Sequence, residues 1–157
     1  MQIGIIGTGM VGAAAAFALA SEGSAEKLIL IDANKERAIS EAMDISHATP
    51  FTFGAKVIAG DYKDLSEAGI IFITAGANQK PGETRLDLLE KNVSIFKSII
   101  PEVVKYAPNA ILVIASNPVD IMTEVTLKLS GFPKNRVFGT GTVLDSARFR
   151  SILGRHM

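Results

Sequence analysis

Short runs of apolar residues alternate along this chain with longer segments in which apolar and polar positions recur at helical spacing. Six apolar runs predict strands near residues 3–6, 28–31, 56–59, 70–74, 111–115 and 136–138. Helical patterns lie near residues 10–21, 35–48, 87–106, 119–130 and 143–154. Strands that alternate with helices indicate β-α-β units with right-handed crossovers. The pattern therefore predicts an α/β fold, a doubly wound six-stranded parallel sheet in the order 3-2-1-4-5-6.

A glycine pattern lies between the first two predicted strands. Gly7, Gly9 and Gly12 form G-x-G-x-x-G, and Asp32 ends the second strand twenty residues later. The three glycines are expected to permit a tight turn, close approach of a pyrophosphate and close helix packing, respectively. The helix N-terminus offers unpaired N–H groups to phosphates, and Asp32 would bind a ribose and repel a 2′-phosphate. The glycines alone are equally typical of an ordinary turn, but this context predicts a Rossmann fold that binds NAD in preference to NADP.

Composition narrows the class of protein. The 157 residues predict one domain, 1–157, and an apolar content of 48% suits strands buried on both faces. Sixteen basic and sixteen acidic residues cancel without forming blocks, which argues against nucleic acid or an anionic membrane as partner. The absence of cysteine excludes disulfides and thiolate metal sites, and no metal site is predicted. With no targeting segment expected and no apolar stretch long enough to cross a membrane, we expect a cytoplasmic protein.

A polar loop at residues 76–83 follows the fourth predicted strand. This is the topological switch point, where open α/β sheets bind ligands. Gly76, Pro81 and Gly82 make the loop a candidate lid over a cofactor. The alternative interpretation is a solvated surface turn.

Three segments carry a family resemblance: residues 76–88, 116–120 and 144–150. With the glycine pattern, they resemble the L-lactate dehydrogenase family, within the lactate/malate dehydrogenase superfamily. The resemblance runs from the first residue into the last predicted helix and covers the NAD-binding half of a family member, without the catalytic domain. It implies an NAD-dependent oxidoreductase that interconverts pyruvate and L-lactate.

The resemblance assigns roles to residues around the predicted loop. Arg85 would polarise the substrate carbonyl, since a fixed cation in a dry site stabilises a developing alkoxide. Gln79, being neutral, suits pyruvate or lactate, whereas an arginine there would pair with the second carboxylate of oxaloacetate or malate. Asn117 would contact the nicotinamide ribose or substrate, with a cis bond to Pro118. Read alone, Arg85 could be a surface cation and Gln79 a solvated amide. The predicted cofactor contacts are Gly7, Gly9, Met10, Val11, Gly12, Asp32, Ala75, Gly76 and Asn117.

The last predicted helix carries a further charged group. Asp145 and Arg148 are three residues apart and so share one helix face, where the simplest interpretation is a surface ion pair. The resemblance implies that Arg148 grips the substrate carboxylate and that Asp145 orients a catalytic histidine. Arg150 points elsewhere and matches an arginine that, in allosteric bacterial members, helps bind fructose 1,6-bisphosphate.

The expected proton donor has no match in the sequence. The family places its histidine in a Gly-Glu-His-Gly-Asp motif, whereas this chain contains His47 and His156 and no such motif. Loss of a general acid costs a factor of about 10² to 10⁴. We therefore expect cofactor binding without efficient turnover.

Other functions stay open from sequence. These are a malate dehydrogenase-like half, an enzyme completed by a second chain, and a non-catalytic NAD-sensing module. A short-chain dehydrogenase is disfavoured because neither Tyr62 nor Tyr106 has a lysine four residues later. The expected partners are NAD or NADH, pyruvate or lactate bound weakly, and a second copy of the chain. Apolar side chains on the helices near 35–48 and 143–154 favour such a dimer.

Overall fold

A computed structural model of the chain describes residues 1–77, 82 and 84–156, with the backbone alone described at residue 85. Its strands are β1 (Gln2–Ile6), β2 (Lys27–Ile31), β3 (Lys56–Ala59), β4 (Ala68–Ile73), β5 (Ile111–Ile114) and β6 (Val137–Gly139). Its α-helices are α1 (Met10–Ser21), α2 (Lys35–Ala48), α3 (Arg85–Tyr106), α4 (Val119–Ser130) and α5 (Val143–His156). Short 3-10 helices lie at Thr49–Phe51, Tyr62–Glu67 and Lys134–Arg136.

The six strands form one parallel sheet in the order β3-β2-β1-β4-β5-β6. This confirms the predicted doubly wound topology. The chain builds outward from β1 in one direction and, after β3, returns to β4 on its other side. The carboxyl ends of β1 and β4 therefore meet where the winding reverses, which is where such sheets bind ligands.

Both faces of the sheet are covered, so most strand residues are buried. On one face, Ile3 and Ile5 of β1 belong to a core cluster with Ala16 of α1 and Ile45 of α2. On the other face, a second cluster joins the sheet to α3 and α4. It includes Ile6, Ile71, Ile73, Phe96, Ile100, Leu112, Ile114 and Met122. Burial on both faces explains why these strands read as continuous apolar runs.

The start of α3 differs from the prediction, which placed it at residue 87. The helix begins at Arg85, because Thr84 and Asp87 form a capping box in which each side chain bonds the other residue's backbone N–H. The bonds from Thr84 hold the pKa of the Asp87 carboxyl below its usual value. The signal was present in the sequence as Thr-x-x-Asp.

Helix α5 differs from the others in having no buried residue. The side chains of Val143, Leu144, Phe149, Ile152 and Leu153 are all exposed. In the described part of the chain, no helix is both long and apolar enough to cross a membrane.

Candidate dinucleotide-binding site

A cleft of about 790 Å³ opens at the carboxyl ends of the first four strands, beside α3. Its floor is formed by the turn after β1 and by the residues that follow β2, β3 and β4. The lining residues are Ile6, Gly7, Gly9, Met10, Val11, Ile31, Asp32, Ala33, Lys35, Arg37, Gly60, Asp61, Tyr62, Thr74, Ala75, Gly76, Ile95, Ser98 and Ile99. The position is the one predicted from topology.

Close backbone packing sets the shape of the turn between β1 and α1. Gly7 has φ +97°, and a Cβ there would lie 2.5 Å from the backbone of Ala75. A Cβ on Gly12 would collide with the carbonyl oxygen of Gly7. That oxygen is held in place by the Thr74 hydroxyl, which donates a hydrogen bond to it at 2.5 Å. Contact with neighbouring backbone is therefore sufficient to require glycine at both positions.

Gly9 has a different reason to be glycine. Its φ of −67° and ψ of −172° suit any residue, and a Cβ built on it meets nothing within 4 Å. It lines the cleft, and α1 begins directly after it without a side-chain cap. Open space in front of an uncapped helix N-terminus fits a pyrophosphate, whose oxygens accept hydrogen bonds from such N–H groups.

Asp32 is held in the cleft by hydrogen bonds from two neighbouring segments. The Thr8 N–H donates to Oδ2 at 2.7 Å, and the Thr8 hydroxyl donates to the same oxygen at 3.1 Å. The Asn34 N–H donates to Oδ1 at 2.9 Å. Thr8 is fully buried, so the carboxylate is tied to the glycine turn itself. Three hydrogen bonds from the protein itself thus fix the position of the acid.

Charged and aromatic groups line the cleft near the ends of β2 and β3. Lys35 Nζ forms an ion pair with Asp61 Oδ1 at 3.1 Å. The neighbouring Tyr62 is half-buried, and burial, together with the charge of Glu102, raises the pKa of its hydroxyl. As a cleft-lining residue, Tyr62 can offer a ring face and a hydroxyl to a ligand.

The loops after β4 and β5 are joined to each other. The Ser116 hydroxyl donates to the Ala75 carbonyl oxygen at 2.6 Å. The Asn92 amide of α3 donates to the Asn117 carbonyl and accepts from the Ala77 N–H. The Asn117–Pro118 peptide is cis, which confirms the expectation from the family resemblance. Asn117 itself is exposed.

Most of the predicted cofactor contacts come together in the cleft: Gly7, Gly9, Met10, Val11, Asp32, Ala75 and Gly76 all line it. Gly12 lies behind the turn, and Asn117 is not among the described lining residues. Gln79, with most of the candidate lid, lies outside the described residues, as does the side chain of Arg85.

Sequence analysis missed several residues of the site. Asp61 and Tyr62 follow the carboxyl end of β3, so the rule that ligands bind at that edge could have found them. Thr8 and Asn92 gave no such signal, because their partners lie 24, 15 and 25 residues away along the chain.

The charged residues of α5 stand apart from the cleft. Arg148 Nη1 lies 3.0 Å from Asp145 Oδ1, and both side chains are exposed, as the surface ion-pair interpretation predicts. Arg150 is also exposed. The described lining residues of the cleft include none of α5. Across residues 1–77, 82 and 84–156, no group of three or more acidic or histidine side chains could hold a metal ion.

Comparison with known proteins gives the same family as the motifs. The family model for the NAD binding domain of lactate/malate dehydrogenase matches residues 1–139. L-lactate dehydrogenase 1 of Clostridium acetobutylicum and L-lactate dehydrogenase of Thermoanaerobacterium saccharolyticum are each 57% identical to the chain over 155 residues. Each alignment covers 99% of this chain and 50% of the relative. The chain thus spans about half the length of these curated relatives.

Solved structures agree. The minor L-lactate dehydrogenase of Enterococcus mundtii superposes with a TM-score of 0.96 at 43% identity, covering 99% of this chain and 50% of that one. The malate dehydrogenase of Archaeoglobus fulgidus, solved in complex with NADH, gives a TM-score of 0.94 at 39% identity and covers 99% and 53%. The chain therefore belongs to the lactate/malate dehydrogenase family, of which it spans the NAD-binding domain.

Proposed function

We propose that the chain is the NAD-binding half of an L-lactate dehydrogenase, which reduces pyruvate to L-lactate with NADH. The observation that carries this proposal is the carboxylate of Asp32, fixed at the cleft by Thr8 and Asn34. Its position at the end of β2 is that of an acid that binds the adenosine ribose.

The hydrogen bonds of Asp32 favour NAD over NADP. A carboxylate offers about four acceptor positions. Thr8 occupies two on Oδ2 and Asn34 occupies one on Oδ1, which leaves Oδ1 able to accept from a ribose hydroxyl. A 2′-phosphate would repel the carboxylate, and its ionised oxygens accept rather than donate. Lys35 lies nearby, but its ammonium group is already paired with Asp61. It is therefore less able to neutralise the charge of a 2′-phosphate.

The substrate assignment rests on the relatives and on motif residues. The two curated relatives that are 57% identical to the chain are named L-lactate dehydrogenases. When bound, the nicotinamide supplies or accepts a hydride at the substrate carbon. We assign Arg85 to the substrate carbonyl, Arg148 to the substrate carboxylate, and Gln79 to the choice of a monoanionic substrate. Asn117 would contact the nicotinamide ribose or substrate, Asp145 would orient a histidine, and Arg150 would form half of an anion site.

The 157-residue chain on its own should bind cofactor without efficient turnover. Neither His47 nor His156 lies in a Gly-Glu-His-Gly-Asp motif, so the alkoxide formed by hydride transfer has no matching proton donor. His47 is in the last turn of α2, and His156 is in that of α5.

Two measurements on the purified chain test this function. Calorimetry should show NADH binding that is clearly tighter than NADPH binding, and equal affinities would overturn the assignment. NADH oxidation should then be followed with pyruvate and, separately, with oxaloacetate. Turnover with pyruvate at the rate of a complete dehydrogenase, with contaminating enzyme excluded, would refute the inactivity. A preference for oxaloacetate would favour a malate dehydrogenase-like half.

We also propose that the chain forms a homodimer in the cytoplasm. The support is the exposed apolar row on α5, including Phe149 and Ile152, and the exposed Ile39 and Met43 of α2. Exposed apolar patches of this kind usually mark contacts. Sedimentation over a wide concentration range should show a dimer, and a strictly monomeric species throughout would contradict it.

A further inference from the structure

The side chain of Asn92 is buried at the edge of the dinucleotide cleft. It lies two turns into α3 and is 2% exposed. Buried amides are costly unless they are hydrogen-bonded, because each unsatisfied donor or acceptor loses its contact with water. The contacts that Asn92 makes are therefore informative.

Asn92 bonds to two different loops. Its Oδ1 accepts from the Ala77 N–H at 2.8 Å, and its Nδ2 donates to the Asn117 carbonyl oxygen at 2.8 Å. Ala77 follows β4, and Asn117 follows β5. One side chain on a third element thus connects the two loops at the carboxyl edge of the sheet.

The chemistry of this link requires a group that can both accept and donate hydrogen bonds, as a neutral amide does. Ala77 presents a donor and Asn117 an acceptor, so the bridging group must accept on one atom and donate on another. An ionised carboxylate could accept from Ala77 but would face the Asn117 carbonyl with a second acceptor. An aliphatic side chain would leave both backbone groups unpaired.

We propose that Asn92 is a positioning residue, which holds the start of the loop after β4 and the Asn117 peptide in one fixed arrangement. The inference rests on the proposed function, because the two loops held by Asn92 would form the nicotinamide end of the proposed cofactor site. The Ser116 hydroxyl joins the same two loops one residue nearer β5 and two residues nearer β4, so Asn92 controls their outer part. The adenosine end is fixed by a different set of hydrogen bonds, from Thr8 to Asp32.

The link itself is tested in the free chain by amide hydrogen exchange. In the wild type, the Ala77 amide should be protected. In Asn92→Ala it should exchange at least about fivefold faster, the ratio that corresponds to losing one net hydrogen bond. Thr126→Val is the matched control, because Thr126 is also buried and hydrogen-bonded but lies within α4, bonded to Met122. Unchanged Ala77 exchange in the Asn92 variant would overturn the proposal.

Positioning is tested by comparing two ligands. NADH carries the nicotinamide, whereas ADP has the adenosine and diphosphate without it. We expect Asn92→Ala and Asn92→Asp to weaken NADH binding about fivefold and to leave ADP binding unchanged. A purely structural loss would weaken both ligands together, and that result, or no change in either, would overturn the positioning role.

Asn92→Asp adds a pH signature and remains informative if Asn92→Ala fails to fold. Burial raises the pKa of a carboxyl group, and the protonated form can donate to the Asn117 carbonyl. NADH binding by Asn92→Asp, relative to the wild type at the same pH, should therefore recover as the pH is lowered. If the ratio of the NADH affinities of Asn92→Asp and the wild type did not change with pH, the proposal would be contradicted. If the wild type binds no NADH, the proposed function fails, while the Ala77 exchange still decides the link.

Discussion

The two ends of the cleft are built in different ways. At the adenosine end, backbone groups set the geometry: the Gly7 carbonyl lies against Gly12, and the Thr8 and Asn34 N–H groups hold Asp32. At the other end, side chains join the loops, through Ser116 and Asn92. Helix α5, which carries Asp145 and Arg148, buries no residue at all.

The adenosine end is therefore fixed by the core of the fold, whereas the opposite end and helix α5 depend on fewer contacts. The adenosine end is held by the same contacts that join β1, α1 and β2, so it forms as the sheet forms. The Asn92 bridge joins residues that follow β4 and β5 and not residues of the strands themselves. The charged pair on α5 is an exposed ion pair, which contributes about 1 kcal/mol or less. Substitutions at the two ends should therefore fail in different ways.

The largest expected effect is that of Gly12→Ala, which attacks the backbone contact directly. The new methyl group would collide with the Gly7 carbonyl, and displacement of that carbonyl would strain or break its hydrogen bond from the Thr74 hydroxyl. Overpacking of this kind costs about 1–3 kcal/mol. We expect a cost at the upper end of this range, because the clashing atom belongs to the backbone and cannot change rotamer as a side chain could. Urea unfolding should show a loss of about 3 kcal/mol.

Gly9→Ala is the control for that experiment. A methyl group there meets nothing within 4 Å, so the free energy of unfolding should change by about 0.5 kcal/mol or less. NADH binding should nevertheless weaken, because the methyl group enters the space assigned to the pyrophosphate. Equal destabilisation by the two substitutions would contradict the distinction between the two glycines.

Asp32→Ala should have the next largest effect and leave the nicotinamide end intact. A hydrogen bond to a charged group contributes about 1.5–3 kcal/mol, so NADH affinity should fall about 10- to 150-fold. NADPH affinity should fall less or rise, because the repulsive charge is gone. Parallel calorimetric titrations measure the ratio of the two affinities. An unchanged ratio would show that Asp32 does not select the cofactor.

Thr8→Val should produce a smaller change of the same kind. It removes the hydroxyl bond to Asp32 at 3.1 Å but keeps the shorter bond from the backbone N–H. The expected loss is about fivefold in NADH affinity, which corresponds to about 1 kcal/mol. Thr126→Val serves as control, and fluorescence titration is sufficient. A loss as large as that of Asp32→Ala would mean that the backbone bond alone cannot hold the carboxylate.

Arg148→Ala should have the smallest effect, on either stability or NADH binding. Its partner Asp145 is three residues away on an exposed helix face, so the free energy of unfolding should change by about 0.5 kcal/mol or less. Thermal unfolding and NADH titration of the same sample would check this. A large loss of NADH affinity would mean that α5 contacts the cofactor, which would contradict the conclusion that α5 stands apart from the cleft.

Sequence patterns predicted a large part of this molecule because the relevant signals are local. Periodicity predicted the six strands and five α-helices, and the strand order followed from the six-stranded doubly wound dinucleotide fold that they fit. The glycine pattern and Asp32 predicted the adenosine end for the same reason, since each residue has its role within one β-α-β unit. The start of α3 was missed by two residues, although its capping box was readable.

Other features were decided by tertiary structure. The sequence indicated that Gly12 packs closely, but the fold showed that its neighbour is the Gly7 carbonyl. Nothing in the local sequence marks Asn92 as a bridge, because its partners Ala77 and Asn117 become neighbours when β4 and β5 pair. The exposure of α5 likewise depends on what packs against it. Local sequence determines turns, caps and helix faces, whereas contacts between loops depend on how the sheet brings distant segments together.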